Sequence, residues 1–200
     1  MRNWDEYRRK TGLVIVLSGP SGVGKDCVLE QFVKVCPGVV WCVTVTTRPP
    51  RPDEESGRDY FFVSVEEFGR MVEQGEFLEH AQVYGNLYGS PRRWVQEQTA
   101  AGKDVILKID VQGGIAVKRQ MPDAVMVFLT PPSLEELERR LRSRLTESEA
   151  EVAKRLLDAR SEIEQIPYYD YLVENDVLEE AVETLRAIVV AERNRIVGPR

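Results

Sequence analysis

Between Gly19 and Asp26 the chain reads Gly19-Pro20-Ser21-Gly22-Val23-Gly24-Lys25-Asp26, a glycine-rich turn ending in a lysine and an acid. It follows the apolar run Leu13-Val14-Ile15-Val16-Leu17 and leads into an amphipathic stretch from Cys27 to Val35. Strand, glycine turn and helix, in that order, make a phosphate cradle. The glycines let successive N–H groups point at phosphate oxygens, and the helix adds its positive dipole end. Lys25 is expected to reach the outer phosphates of a nucleoside triphosphate as a point charge. The motif ordinarily closes on Ser or Thr, whose hydroxyl binds the phosphate-coordinated magnesium; here Asp26 stands in that place. The turn therefore predicts a nucleotide phosphate site with an altered metal corner, where Asp26 is the candidate carboxylate ligand.

A second set of residues suits a smaller phosphate. Thr44-Val45-Thr46-Thr47-Arg48-Pro49-Pro50-Arg51-Pro52, then Gly57-Arg58-Asp59-Tyr60, gathers two guanidiniums and a phenol near one proline-stiffened loop. Planar guanidinium forks and a phenol suit a phosphate monoester. Glu79 stands in Gly75-Glu76-Phe77-Leu78-Glu79-His80-Ala81, and Asp110 ends the apolar run from Asp104 to Ile109. A carboxylate can accept both the N1–H and the exocyclic N–H of guanine, a pairing adenine does not offer. His80, the only histidine, is expected to serve structure, because phosphoryl transfer needs little general acid–base help.

These groups need a frame. Apolar runs fit for buried parallel strands recur at Leu13–Leu17, Val39–Val43, Asp104–Ile109, Ala124–Leu129 and Tyr171–Val173. Helices are expected among them. Ser90-Pro91 predicts one start, an N-cap followed by proline at the first helical position, with an end near Gly102. Ser133 predicts another, with Glu136 completing a capping box, and Leu178 to Ile196 reads as a long final amphipathic helix. Alternating strands and helices imply a three-layer α/β domain around a parallel sheet. The proline-rich loop, Tyr60–Val63, a short helix from Val65 to Gln74 and Phe77–Tyr84 break the rhythm as a small α+β insertion. The arginine-rich piece from Arg139 to Arg155 is the candidate lid.

Together these segments resemble guanylate kinase, over nearly the whole chain from Gly12 to about Arg195. The carrying pattern, T-T-R-x-P-R-x-x-E-x-x-G-x-D-Y-x-F-V, spans Thr46 to Val63, with Glu54 at the acidic position and Glu55 crowding it. The resemblance implies a P-loop kinase fold: a core of residues 12–47, 91–138 and 156–200, a GMP-binding insertion at 48–90, a mobile lid at 139–155 and a leader at 1–11. It implies transfer of the γ-phosphoryl of ATP to GMP, and to deoxy-GMP as a second acceptor, with magnesium carried by ATP. Gly19 and the run Ser21-Gly22-Val23-Gly24-Lys25-Asp26-Cys27 would hold the ATP phosphates. Arg140, Arg144 and Arg155 would face them from the lid, and Asn175 would sit near the adenine. Arg48, Arg51, Tyr60 and Tyr88 would take the acceptor phosphate; Thr44, Glu79, Ser90 and Asp110 would address the base or order its surroundings. Lys25, Arg48, Arg144 and Arg155 would carry catalysis by positioning and charge neutralisation.

Three residues depart from the family's pattern. Asp26 replaces the P-loop hydroxyl, Lys108 stands where the first of two strand aspartates is usual, and Ser143-Arg144-Leu145 replaces a G-R-G triplet. An acid and a base exchanged at neighbouring positions permit an Asp26–Lys108 ion pair. The changed corner also admits a monovalent cation such as potassium.

Composition narrows the alternatives. A net charge of -6 disfavours sequence-independent nucleic-acid binding. Cys27, Cys36 and Cys42 are odd in number and form no C-x-x-C pair, which predicts reduced thiols and a cytoplasmic protein. No apolar run approaches about 18 residues, so no membrane span is expected. The expected assembly is a monomer or homodimer. The main rival function is a guanylate-kinase-like module that binds phosphopeptides without catalysis; intact Gly19, Gly24 and Lys25 weigh against it. A kinase of another small acceptor is the third reading, which the guanine-type pairing of Glu79 and Asp110 disfavours.

Overall fold

The computed structural model describes residues 4–83, 85–143 and 149–197. Five strands form the main sheet: β1 (Val14–Ser18), β2 (Val39–Trp41), β7 (Asp104–Lys108), β8 (Val125–Thr130) and β9 (Tyr171–Glu174). Their order is β2-β7-β1-β8-β9, and every pairing is parallel. These are the five expected runs. Their near-continuous apolarity follows from burial on both faces. Leu13, Ile15 and Leu17 pack toward α1 (Lys25–Val35) and α7 (Leu178–Arg193); Val14 and Val16 pack toward α3 (Arg92–Ala100) and α4 (Val111–Gln120).

At the foot of the sheet, buried Asp104 accepts the Leu13 N–H at 2.7 Å and the Arg193 Nε–H at 2.5 Å. A buried carboxylate without such partners would be strongly destabilising. Here it ties the entry of β1 to the last helix.

A second sheet, ordered β4-β3-β6-β5, comprises β3 (Thr44–Thr46), β4 (Tyr60–Phe62), β5 (Phe77–Val83) and β6 (Asn86–Pro91). Helix α2 (Val65–Glu73) covers it, with Phe68 buried against Phe77, and Ser64 accepting the Glu67 N–H as N-cap. This sheet starts at Thr44, two residues after Cys42 accepts a place beside β7 by donating its N–H to Ile106.

Two expected helix starts turned out differently. Pro91 is extended, with φ -70 and ψ 115, and pairs with Phe77 in the sheet, so α3 begins at Arg92. Ser90 cannot cap it, because its hydroxyl is spent on Glu79. Ser133 does cap α5 (Leu134–Arg142) by accepting the Glu136 N–H, but the Glu136 carboxylate turns to Arg139 and Arg140. Helix α6 (Glu149–Ile163) packs against α5 through Leu137, Leu141, Val152 and Ala159. Within 139–155, residues 139–142 and 149–155 are helical and Ser143 caps the end of α5; Arg144 lies outside the described residues.

Candidate active site

The turn between β1 and α1 bends through three glycines at positive φ: 148° at Gly19, 88° at Gly22 and 96° at Gly24. Close approach adds a second demand at the last one. A Cβ on Gly24 would meet Asn175 Nδ2 at 2.6 Å. Asn175, buried just past β9, donates from Nδ2 to the Val23 carbonyl at 2.7 Å, so the far edge of the sheet pins the loop. Arg140 from α5 donates to the Asn175 carbonyl at 2.9 Å. From α6, Arg155 donates to Ser21 Oγ at 3.0 Å. The helix pair flanking 144–148 therefore touches the cradle from two sides.

Lys25 is stowed on the loop itself, donating to the carbonyls of Gly19 and Pro20, the latter at 3.0 Å. Burial pulls its ammonium down to about 8, against the opposing field of Glu162. Burial likewise pushes Glu162 on α6 up to about 7, with Lys25 opposing. Gly19, Ser21, Lys25, Asp110, Arg155 and Glu162 share one cleft of about 730 Å³.

Next to it lies a pocket of about 270 Å³ lined by Thr44, Tyr60, Glu79, Tyr88, Lys108 and Asp110, with apolar wall from Ala81, Val83 and Ile109. Glu79 is 9% exposed, and Ser90 donates its hydroxyl to Glu79 Oε1 at 2.6 Å. Burial raises the Glu79 carboxyl to about 7, and the nearby Asp110 charge adds to the rise. Asp110 caps α4 by accepting the Gly113 N–H at 2.7 Å, and a Cβ on Gly113 would stand 2.9 Å from Glu79 Oε2. A residue with a side chain at 113 would therefore crowd Glu79.

Arg48 and Arg51 line neither cavity. The Arg48 guanidinium grips Glu54 at 2.7 and 2.9 Å and lies over the Tyr60 ring, 5.3 Å from its centroid. Those hydrogen bonds hold the Glu54 carboxyl below its usual range. Arg51 is exposed and reaches Glu54 through its backbone N–H at 2.8 Å. Tyr60 and Tyr88 meet edge to face, centroids 6.2 Å apart.

At the boundary between cleft and pocket, Lys108 donates to Asp26 Oδ1, as the paired substitution permits. A carboxylate neutralised in this way is a poor cation ligand. Among the described residues, no group of three or more His, Cys, Asp or Glu could hold a metal ion. With its carboxylate paired to Lys108, this corner does not offer the acidic cluster a protein-held magnesium ion would use.

The guanylate kinase family model matches residues 11–192. The chain belongs to the guanylate kinase family. It is 52% identical over 185 residues to the guanylate kinase of Myxococcus xanthus, covering 92% of this chain and 88% of that one. The guanylate kinase of Symbiobacterium thermophilum is 51% identical over 186 residues, covering 93% and 88%. The crystal structure of guanylate kinase from Anaplasma phagocytophilum superimposes with a TM-score of 0.75 at 35% identity, covering 94% of this chain and 89% of that one. Guanylate kinases are ATP-dependent phosphotransferases that generally use magnesium.

Against that family pattern, three features of this site escaped the sequence reading. Glu54 is the partner that sets Arg48. Trp41 lies under Lys108, 4.9 Å from ring centre to Nζ. Glu162 faces Lys25 from α6; the spacing Arg155, Asp158, Glu162 places all three on one helical stripe, a signal the sequence does contain. Cys27, carried over with the P-loop, is exposed.

Proposed function

We propose that this chain transfers the γ-phosphoryl of ATP to GMP, giving ADP and GDP, with the residues of the two adjoining cavities in distinct roles. The observation carrying the assignment is the buried Glu79–Ser90 pair, whose carboxylate lines a pocket adjoining the P-loop cleft. Glu79 and Asp110 receive guanine's donors, and Thr44 and Ser90 order their surroundings. Tyr60 and Tyr88 hold the acceptor phosphate, and Arg48 exchanges Glu54 for it, with Arg51 as the second guanidinium. On the donor side, the loop from Gly19 to Cys27 offers its N–H groups, and Lys25 leaves the loop carbonyls for the outer phosphates. Arg140, Arg144 and Arg155 supply further positive charge from the 139–155 segment.

Such a site works by alignment and electrostatics. The migrating phosphoryl passes between two oxygens held in line, and fixed cations offset the charge on its oxygens. Magnesium enters with ATP, whose phosphates supply its oxygen ligands. Closure of 48–90 and 139–155 over the substrates would exclude water and so protect ATP from hydrolysis. Deoxy-GMP is a second acceptor, since none of these roles rests on the ribose 2′-hydroxyl.

The test is ADP release coupled to NADH oxidation, with GMP, AMP, UMP and CMP offered in turn. GMP alone should support turnover. Equal rates with AMP would refute the role given to Glu79, and no turnover with any acceptor would favour a binding module.

A further inference from the structure

The Asp26–Lys108 ion pair has no part in the proposed reaction, yet its lysine lines both cavities. Lys108, the last residue of β7, lines the 730 Å³ cleft together with Gly19, Ser21 and Lys25. It also lines the 270 Å³ pocket with Tyr60 and Tyr88. Its side chain is 26% exposed against 65% for Asp26, so the cation is the inner partner and the carboxylate the outer one. Two anchors place the ammonium. Asp26 Oδ1 takes one N–H, and the face of Trp41 lies beneath. A lysine ammonium carries three such donors in all.

The cleft lining is mixed in charge, with Lys25, Lys108, Lys154 and Arg155 set against Asp110, Glu151, Asp158 and Glu162. Lys108 is among the charges that depress Lys25, so the two ammoniums feel one another across the cleft. Converging cations repel when the cleft is empty and are stabilised by a ligand that neutralises both. We infer that Lys108 is a resident cation for the γ-phosphoryl of ATP, tethered by Asp26, and that this pair replaces the hydroxyl-and-carboxylate corner through which a P-loop ordinarily grips magnesium. The inference rests on the ATP-dependent reading above and adds the residue that meets the transferred group. Magnesium carried by ATP is then bound by the nucleotide phosphates, and the protein contributes an ammonium where it would otherwise contribute metal contacts.

The contrast between ATP and ADP tests this, because ADP lacks the group in question. Calorimetric titrations in excess EDTA, where magnesium cannot compensate, should show ATP binding weakened about tenfold in Lys108→Met. ADP binding should stay within about twofold of the parent. Methionine keeps an unbranched stem over Trp41 while removing the charge, and Lys108→Arg should restore most of the ATP affinity. Thermal melting checks that each variant is folded. Equal weakening of ATP and ADP would mean that the pair merely shapes the P-loop, and unchanged ATP affinity would mean an inert ion pair. Either result overturns the inference, as would failure of Lys108→Arg to rescue. If Lys108→Met does not fold, Lys108→Gln is titrated under the same criteria. GMP-dependent turnover of the parent, measured in parallel, is a separate reading: its absence would refute the proposed reaction while leaving the ATP/ADP contrast to be judged alone.

Discussion

Acidifying the solution should empty the guanine pocket before it harms the phosphate cradle. Glu79 is buried, and that burial lifts its carboxyl to about 7. Guanine's two donors need the ionised form, which is present above that value and lost below it. Between pH about 8 and pH about 6 the ionised fraction falls from about ten elevenths to about one eleventh. The apparent KM for GMP should therefore rise about tenfold, equivalent to ~1.4 kcal/mol. The acceptor phosphate also titrates near pH about 6, so the parent must be compared with Glu79→Gln, which keeps that second effect and removes the first. The variant should show a KM about 10- to 100-fold above the parent at high pH, with the ratio shrinking toward low pH. Steady-state ADP release across that range decides it. A ratio that does not change with pH would refute the reasoning. Stability should move the opposite way. A carboxyl raised in the folded state favours folding below its unfolded value of 4.5, and this contribution is lost as pH rises through about 7. Glu79→Gln should accordingly melt higher than the parent at pH about 8 and converge with it in acid.

The clamp on Arg48 makes Arg48→Lys a test of fork geometry: calorimetry should show GMP affinity lowered about tenfold with ATP affinity retained, and equal loss of both would indicate a folding role. Asn175→Ala leaves the buried Val23 carbonyl unpaired, and chemical denaturation should report a loss of about 1–3 kcal/mol along with a raised KM for ATP. Gly24→Ala should lower the melting point and ATP affinity together, because its Cβ meets Asn175 Nδ2 at 2.6 Å in a left-handed backbone position.

The frame was readable from the chain because its physics is local. Five apolar runs too continuous for one-sided strands had to be buried on both faces, and they became the parallel sheet. The P-loop was readable for the same reason, since glycine spacing and flanking elements lie within one short segment. What the sequence could not disclose was competition between partners. Ser90 reads equally well as a helix cap or as a hydroxyl for Glu79, and only the pairing of β5 with β6 decides between them. Glu54 and Glu55 are neighbours of like chemistry, yet the turn aims one at Arg48 and the other at Arg58. Lys108 and Asp26 are 82 positions apart, and their contact depends on β7 lying beside β1.

The stowed position of Lys25 carries a consequence for proton inventory. Burial makes this ammonium easier to deprotonate in the empty cleft, whereas a bound triphosphate favours the ammonium, so ATP binding should take up protons. GMP should do the reverse near pH about 7, expelling protons from Glu79 as guanine selects the carboxylate. Binding heats measured in two buffers of unlike ionisation enthalpy would expose both, with slopes of opposite sign. Identical heats in the two buffers would show that neither group changes its protonation on binding. A protein whose proposed chemistry needs little acid–base help would still exchange protons with solvent each time a substrate arrives, in opposite directions for its two nucleotides.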